Sequence, residues 1–171
     1  QEHPQNGGGV KGYNASPYSA TVGDGMGHGS MCQTIISGLP YPASLGEVEG
    51  IAENVRVDSI KATDETGIGT VACVVRAMEV AVKTGCKILS LSLGGPVQGG
   101  VRNDPLCQAV STVARMGIIP VCAAGNDGRP GTVSAPAASP YAICVGAISS
   151  DGERSSFSSQ GPVENIIKPD V

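Results

Sequence analysis

Short apolar runs alternate with longer stretches in which apolar residues recur every three or four positions, and the pattern becomes regular from Val55 onward. "VRVDSIKA" (residues 55–62) alternates apolar and polar positions and predicts a strand. "GTVACVVRAMEVAVKTG" (69–85) predicts a helix, apolar over much of its surface and closed by Gly85 in the C′ position. "CKILSLSL" (86–93) predicts the next strand. "NDPLCQAVSTVARMG" (103–117) predicts a helix with Asn103 or Asp104 as N-cap and Pro105 at or near the first helical position. Its apolar Leu106, Val110 and Val113 share one face, and Gly117 terminates it. "IIPVCAAG" (118–125) and "YAICVGAI" (141–148) predict two more strands. Near the start, "QEHPQNGGGVKGYN" (1–14) reads as a loop entering a strand. "GDGMGHGSMCQTIISG" (23–38) reads as a glycine-rich loop running into a helix of small residues.

Strands alternating with helices of this length imply βαβ units, a parallel sheet and right-handed crossovers. The expected class is therefore α/β, a mostly parallel sheet with helices on both faces. No internal repeat, low-complexity segment or interdomain linker interrupts the 171 residues, a length that suits one domain. Aromatic residues are only 3% of the chain while hydrophobic ones are 40%. The core must then be aliphatic, as parallel sheets wrapped by helices are.

Charge narrows the function. The net charge is −4, with no basic stripe, which argues against nucleic-acid binding. No apolar stretch approaches the ~18 residues of a membrane span, and no signal peptide is visible. Six cysteines are an even number, yet Cys73, Cys86, Cys122 and Cys144 fall in or beside apolar elements. Buried thiols are the expectation rather than disulfides, and the redox compartment stays open. No CxxC pair points to zinc.

In open α/β sheets, ligands gather at the carboxyl ends of the strands. "SLGGP" (Ser92–Pro96) and "AAGNDG" (Ala123–Gly128) follow successive strands, so both turns belong to the same edge of the sheet. Glycine there permits close approach of a ligand, or simply a tight turn. His28, among Gly23, Gly25, Gly27 and Gly29, allows three readings. A phosphate cradle needs G-x-G-x-x-G, but the sixth position from Gly23 is His28 and from Gly25 is Ser30. A metal site has His28 and Cys32 at helical spacing, but two ligands do not make one. A base in the first turn of a helix is favoured as neutral imidazole, because the helix N-terminus disfavours imidazolium.

Taken together, these segments resemble the subtilases, the subtilisin-like serine proteases. "GHGSMCQTIISG" is similar to the family's His motif, commonly G-H-G-T-H-x-A-G. "LSLSLGGP" resembles the strand and loop lining the substrate cleft, and "AAGNDG" the oxyanion-hole segment. "YAICVGAISSDGERSSFSSQGP" resembles the strand that follows and its Ser-Phe-Ser turn. "KPDV" resembles the entry to the segment ahead of the nucleophile, and "EHP" with "VKGYN" the stretch after the family's Asp motif.

The resemblance implies an incomplete three-layer subtilisin-like fold and a serine endopeptidase acting through a Ser-His-Asp triad. His28 would be the general base and Asn126 would donate its side-chain amide to the oxyanion. Ser92, Leu93 and Gly94 would offer one backbone edge to an extended polypeptide substrate, and Gly67, Ile68 and Gly69 the opposite edge. His28 and Asn126 would converge on the carboxyl edge of the sheet. No cofactor is required for the chemistry, structural calcium is compatible with the resemblance, and an extracellular location is implied.

The sequence also departs from the family. Met31 stands where a second His is usual and Thr34 where Gly is usual; Cys32 matches a Cys of proteinase K-like members. No D-[ST]-G motif precedes His28 and no G-T-S-x-A follows Asn126, and the serines of "RSSFSSQ" have the context of a turn. The resemblance puts the Asp on a strand pairing between "VRVDSIKA" and "CKILSLSL". Without it both neighbours present bare edges, and the chain is expected to be an internal piece of a protease domain, unable to fold stably without its missing segments. The competing reading is a non-catalytic homologue serving as a peptide-binding or scaffold module.

Overall fold

The computed structural model describes residues 10–43, 46–52 and 54–171; Glu2, His3 and Pro4 of the quoted "EHP" lie outside the described residues. The chain divides into two compact units, Gln1–Thr84 and Gly85–Val171.

The first unit contains β1 (Val10–Asn14), α1 (His28–Ser37), β2 (Tyr41–Ala43), β3 (Gly46–Val48), β4 (Val57–Lys61) and α2 (Val71–Thr84). β1 and β4 pair in parallel, Val10 opposite Val57 through Asn14 opposite Lys61. α2 packs on β4 through a stripe of Cys73, Val74, Ala77, Met78 and Ala81, all buried. Burying a side chain such as Met78 contributes roughly 1.5–3 kcal/mol, so this stripe holds the unit together. The helix ends where Gly85 takes φ 75°, as its terminal position predicts.

β2 and β3 form an antiparallel hairpin that the sequence did not announce. Each strand has three residues, and β3 is exposed throughout, so no alternation marks it. The hairpin leads back to α1: Gly50 N donates to Gly38 O, Ile51 N to Ile35 O and Ala52 N to Ile36 O. A Cβ on Gly50 would lie 2.7 Å from the Ser37 Cα, so only glycine permits the approach.

The second unit contains β5 (Ile88–Leu91), α3 (Pro105–Arg115), β6 (Ile119–Ala123) and β7 (Ile143–Val145). The three strands are parallel in the order β5-β6-β7. Asp104, rather than Asn103, is the N-cap of α3. Its carboxylate accepts from Leu106 N and Cys107 N at 2.9 and 3.0 Å, and from Gln98 N at 2.9 Å. α3 turns buried Leu106, Cys107, Val110 and Val113 inward and packs on β6. One face of the sheet is buried at Leu89, Leu91, Pro120, Cys122 and Cys144, while the other displays exposed Ile88, Ile119 and Ile143. Parallel strands layered with helices are the α/β class expected. No helix among the described residues is long and apolar enough to cross a membrane.

The last residues run along the free side of β7: Asp170 N donates to Cys144 O at 2.9 Å and Gly146 N to Val171 O at 2.8 Å. Lys168 fastens them. Its side chain is 3% exposed, and Nζ donates to the Ala142 carbonyl at 2.7 Å and to Asp170 Oδ2 at 2.6 Å. Cys144 N also donates to that oxygen. Burial alone would push the Asp170 carboxyl up, but the hydrogen bonds from Lys168 and Cys144 outweigh it and hold it below its ordinary value. A carboxyl depressed by folding contributes stability above its unfolded pKa and loses it as pH falls through the folded one. Lys168→Met is expected to destabilise the intact protein by about 2 kcal/mol at pH 7, below the roughly 3–5 of an enclosed pair because Asp170 is part-exposed. The cost should shrink between pH 5 and pH 3, read as urea midpoints (roughly the carboxylate range). A cost independent of pH would mean that Lys168 acts by packing alone.

Candidate active site

His28 is the first residue of α1 and its side chain is exposed. The N-cap, Gly27, offers no side chain to satisfy the orphan amides of the helix start. Asp24 supplies the missing acceptor from upstream. Its Oδ1 accepts from Gly27 N at 2.9 Å and its Oδ2 from Ser30 N at 2.7 Å. Partial burial pushes the Asp24 carboxyl up; the hydrogen bonds from Ser30, Gly27 and Met26 prevail and lower it. A carboxylate at a helix N-terminus is also favoured by the dipole. The loop is tied to β4 as well: Lys61 Nζ donates to Gly23 O at 2.5 Å and pairs with Glu65, which accepts from Ser19 Oγ at 2.6 Å. Thr34, at the position where glycine was expected, returns its hydroxyl to Ser30 O at 2.9 Å.

One turn into α1, Cys32 Sγ lies 3.7 Å from His28 Nε2, so the two side chains share a face of the helix. All six cysteines are thiols, none in a disulfide. Burial pushes Cys107 and Cys122 up to about 12 and Cys144 to about 11, which keeps them protonated and inert. Among the described residues, no group of three or more His, Cys, Asp or Glu is placed to hold a metal ion.

In the second unit, β5, β6 and β7 deliver their carboxyl ends to a cavity of about 310 Å³. Ser90–Ser92, Val121–Asn126 and Val145–Ala147 line it. Asn126 is exposed, in the turn just after β6. Ser92 and Asn126, separated by 34 positions, therefore border one cavity, as two turns on the same sheet edge should. Leu93 and Gly94 follow immediately. Gly95 pairs with Ala135 through N–H···O bonds of 3.0 and 2.9 Å. A Cβ on Gly94 would collide with the Ala135 carbonyl.

Gly67, Ile68 and Gly69 lie in the loop between β4 and α2 of the first unit. Asp64 organises it: Oδ1 accepts from Thr66 N, Thr66 Oγ1 and Ile68 N, while Asp64 N donates to Ile68 O at 2.8 Å. Both backbone groups of Ile68 are thus engaged within the loop, and the residue is 70% exposed. The sequence reading missed Asp24 and Asp64. An Asp shortly before a glycine-rich helix start, and one opening a D-E-T-G turn, were the available signals.

The family model described as "Subtilase family" matches residues 4–171. The chain is 36% identical over 151 residues to Subtilisin DY of Bacillus licheniformis, covering 86% of this chain and 53% of the relative. It is 33% identical over 155 residues to Subtilisin Savinase of Lederbergia lenta, covering 91% of this chain and 55% of the relative. The chain thus spans about half the length of these relatives. Among solved structures it is similar to a cold adapted subtilisin-like serine proteinase, with a TM-score of 0.79 and 27% identity, covering 98% of this chain and 58% of that one. It is also similar to the S218A mutant of the protease domain of PatA, at a TM-score of 0.76 and 28% identity, covering 94% and 58%. The incomplete three-layer α/β arrangement expected from the sequence is the fold that these likenesses support.

Proposed function

This chain belongs to the subtilase family, and from that premise we propose that it supplies the general base and the oxyanion donor of a serine endopeptidase whose serine and aspartate lie outside these 171 residues. His28 takes the proton of the attacking serine hydroxyl and passes it to the leaving amine. Asn126 donates its side-chain N–H to the oxygen that becomes negative as the carbonyl turns tetrahedral. Gly67–Gly69 and Ser92–Gly94 offer backbone edges to an extended peptide. Because Asp64 engages Ile68, the first edge falls to the Gly67 carbonyl and to Gly69. The carrying observation is the cavity at the carboxyl ends of three parallel strands, bordered by Ser92 and exposed Asn126.

Two further features support a domain completed by other segments. Among the described residues, β4 pairs with β1 alone and β5 with β6 alone. The exposed apolar face at Ile88, Ile119 and Ile143 suits a further layer of structure.

A phosphonylating serine reagent tests the reading. Applied to the intact protease, it is expected to label one serine stoichiometrically, and none of the serines within this chain. An adduct on any serine of residues 1–171 would overturn the assignment. A second test concerns Cys32. A mercurial on this thiol presses on the imidazole 3.7 Å away and is expected to suppress activity, while Cys32→Ala becomes insensitive. Full activity with Cys32 shown modified by mass spectrometry would remove the thiol from any bearing on catalysis.

A further inference from the structure

We propose that Ser159 is a positioning residue for Asn126, setting the direction in which its amide points; the inference rests on reading Asn126 as the oxyanion donor. The reason is in the two peptide groups on either side of Asn126. Ser159 N donates to Gly125 O at 3.0 Å, and Ser159 Oγ accepts from Asp127 N at 3.1 Å. The Gly125 carbonyl belongs to the peptide plane before Asn126, and the Asp127 amide to the plane after it. The orientations of these two planes define φ and ψ of Asn126, and so the direction of its Cα–Cβ bond. One residue, 33 positions away in sequence, thus holds both planes.

Ser159 is itself enclosed. It is 1% exposed, and its neighbours are tied down on both sides. Ser158 Oγ accepts from Ala147 N at 3.0 Å, and Arg154 Nη1 donates to Ser158 O at 3.0 Å. Gln160 Nε2 donates to Gly128 O, and Gln160 O accepts from Thr132 N at 3.0 Å. The approach is so close that a Cβ on Gly125 would meet Ser159 Oγ and Ser134 Oγ, each at 3.0 Å; Gly125 also has φ 106°. Ser134 holds the preceding residue, through N–H and hydroxyl bonds to Ala124 O. The turn is therefore built on a buried, hydrogen-bonded support, and the hydroxyl of Ser159 is the part that a substitution can remove while leaving the backbone bond in place.

Oxyanion donors act only when aimed at the developing charge, and an error of about 1 Å can cost about 10²-fold. The test is a double-mutant cycle in the intact protease, with rates normalised to titrated active sites. Ser159→Ala is expected to lower kcat by ~10- to 100-fold with KM nearly unchanged. In an Asn126→Ala background the same change should cost less than about twofold, because the residue it positions is gone. Ser159→Thr keeps the oxygen and is expected to retain kcat within about threefold; it carries the test if the Ala variant does not fold. An equal loss in both backgrounds, no loss in either, or a folded Thr variant as slow as the Ala one would overturn the positioning role. If Asn126→Ala alone leaves kcat unchanged, the oxyanion reading fails and the inference with it.

Discussion

Replacing His28, the proposed base, with Ala is expected to lower kcat of the intact protein by about 10⁶, the size of the loss on base removal in subtilisin, with KM little changed. The physical argument is that a serine hydroxyl at neutral pH is a poor nucleophile until a neighbouring base removes its proton. The position three residues on, where a second histidine is usual in the family, is Met31. The geometry supports a fixed base, because Asp24 ties down the amides of Gly27 and Ser30 on either side of it. The measurement is single-turnover acylation of a peptide ester, with folding checked by circular dichroism. A loss smaller than about tenfold in a folded variant would remove His28 from the base role.

Asn126→Ala is expected to lower kcat by about 10²–10³, again a magnitude measured in subtilisin itself. Its signature distinguishes it from a substrate contact. The carbonyl oxygen becomes a full acceptor only in the tetrahedral transition state, so the loss should appear in kcat and leave KM within about twofold. A raised KM at unchanged kcat would make Asn126 a ground-state binding contact. The turn that carries it is held from Ala124, Gly125 and Asp127, so truncating the exposed side chain should leave the fold intact.

Much of this protein could be read from local pattern. The periodicity of residues 69–85 and 103–117 located α2 and α3, because an amphipathic face repeats every 3.6 residues wherever a helix must bury one side. Gly85 and Gly117 marked helix ends, since both adopt positive φ there. "SLGGP" and "AAGNDG" were legible as turns on one sheet edge, because successive parallel strands put their carboxyl ends together. Where alternatives stood open, structure decided them by contact: Asp104, not Asn103, caps α3 because its carboxylate reaches three amides.

What pattern could not supply were the partnerships between distant residues. The hairpin β2–β3 was missed because three-residue exposed strands carry no hydrophobic alternation. Nothing local says that Lys168 buries its ammonium against Ala142, or that Ser159 takes hold of both peptide planes around Asn126. Lysine and serine in a polar segment look the same whether solvated or buried. Sequence alone located the longer helices, the parallel strands and the turns after them, and nominated the side chains expected to bring chemistry, because propensity, periodicity and capping act within a few residues. Only the tertiary structure decided how those side chains are held, because hydrogen bonds spanning 26 to 34 positions depend on where the folded chain returns, and no short-range rule carries that information.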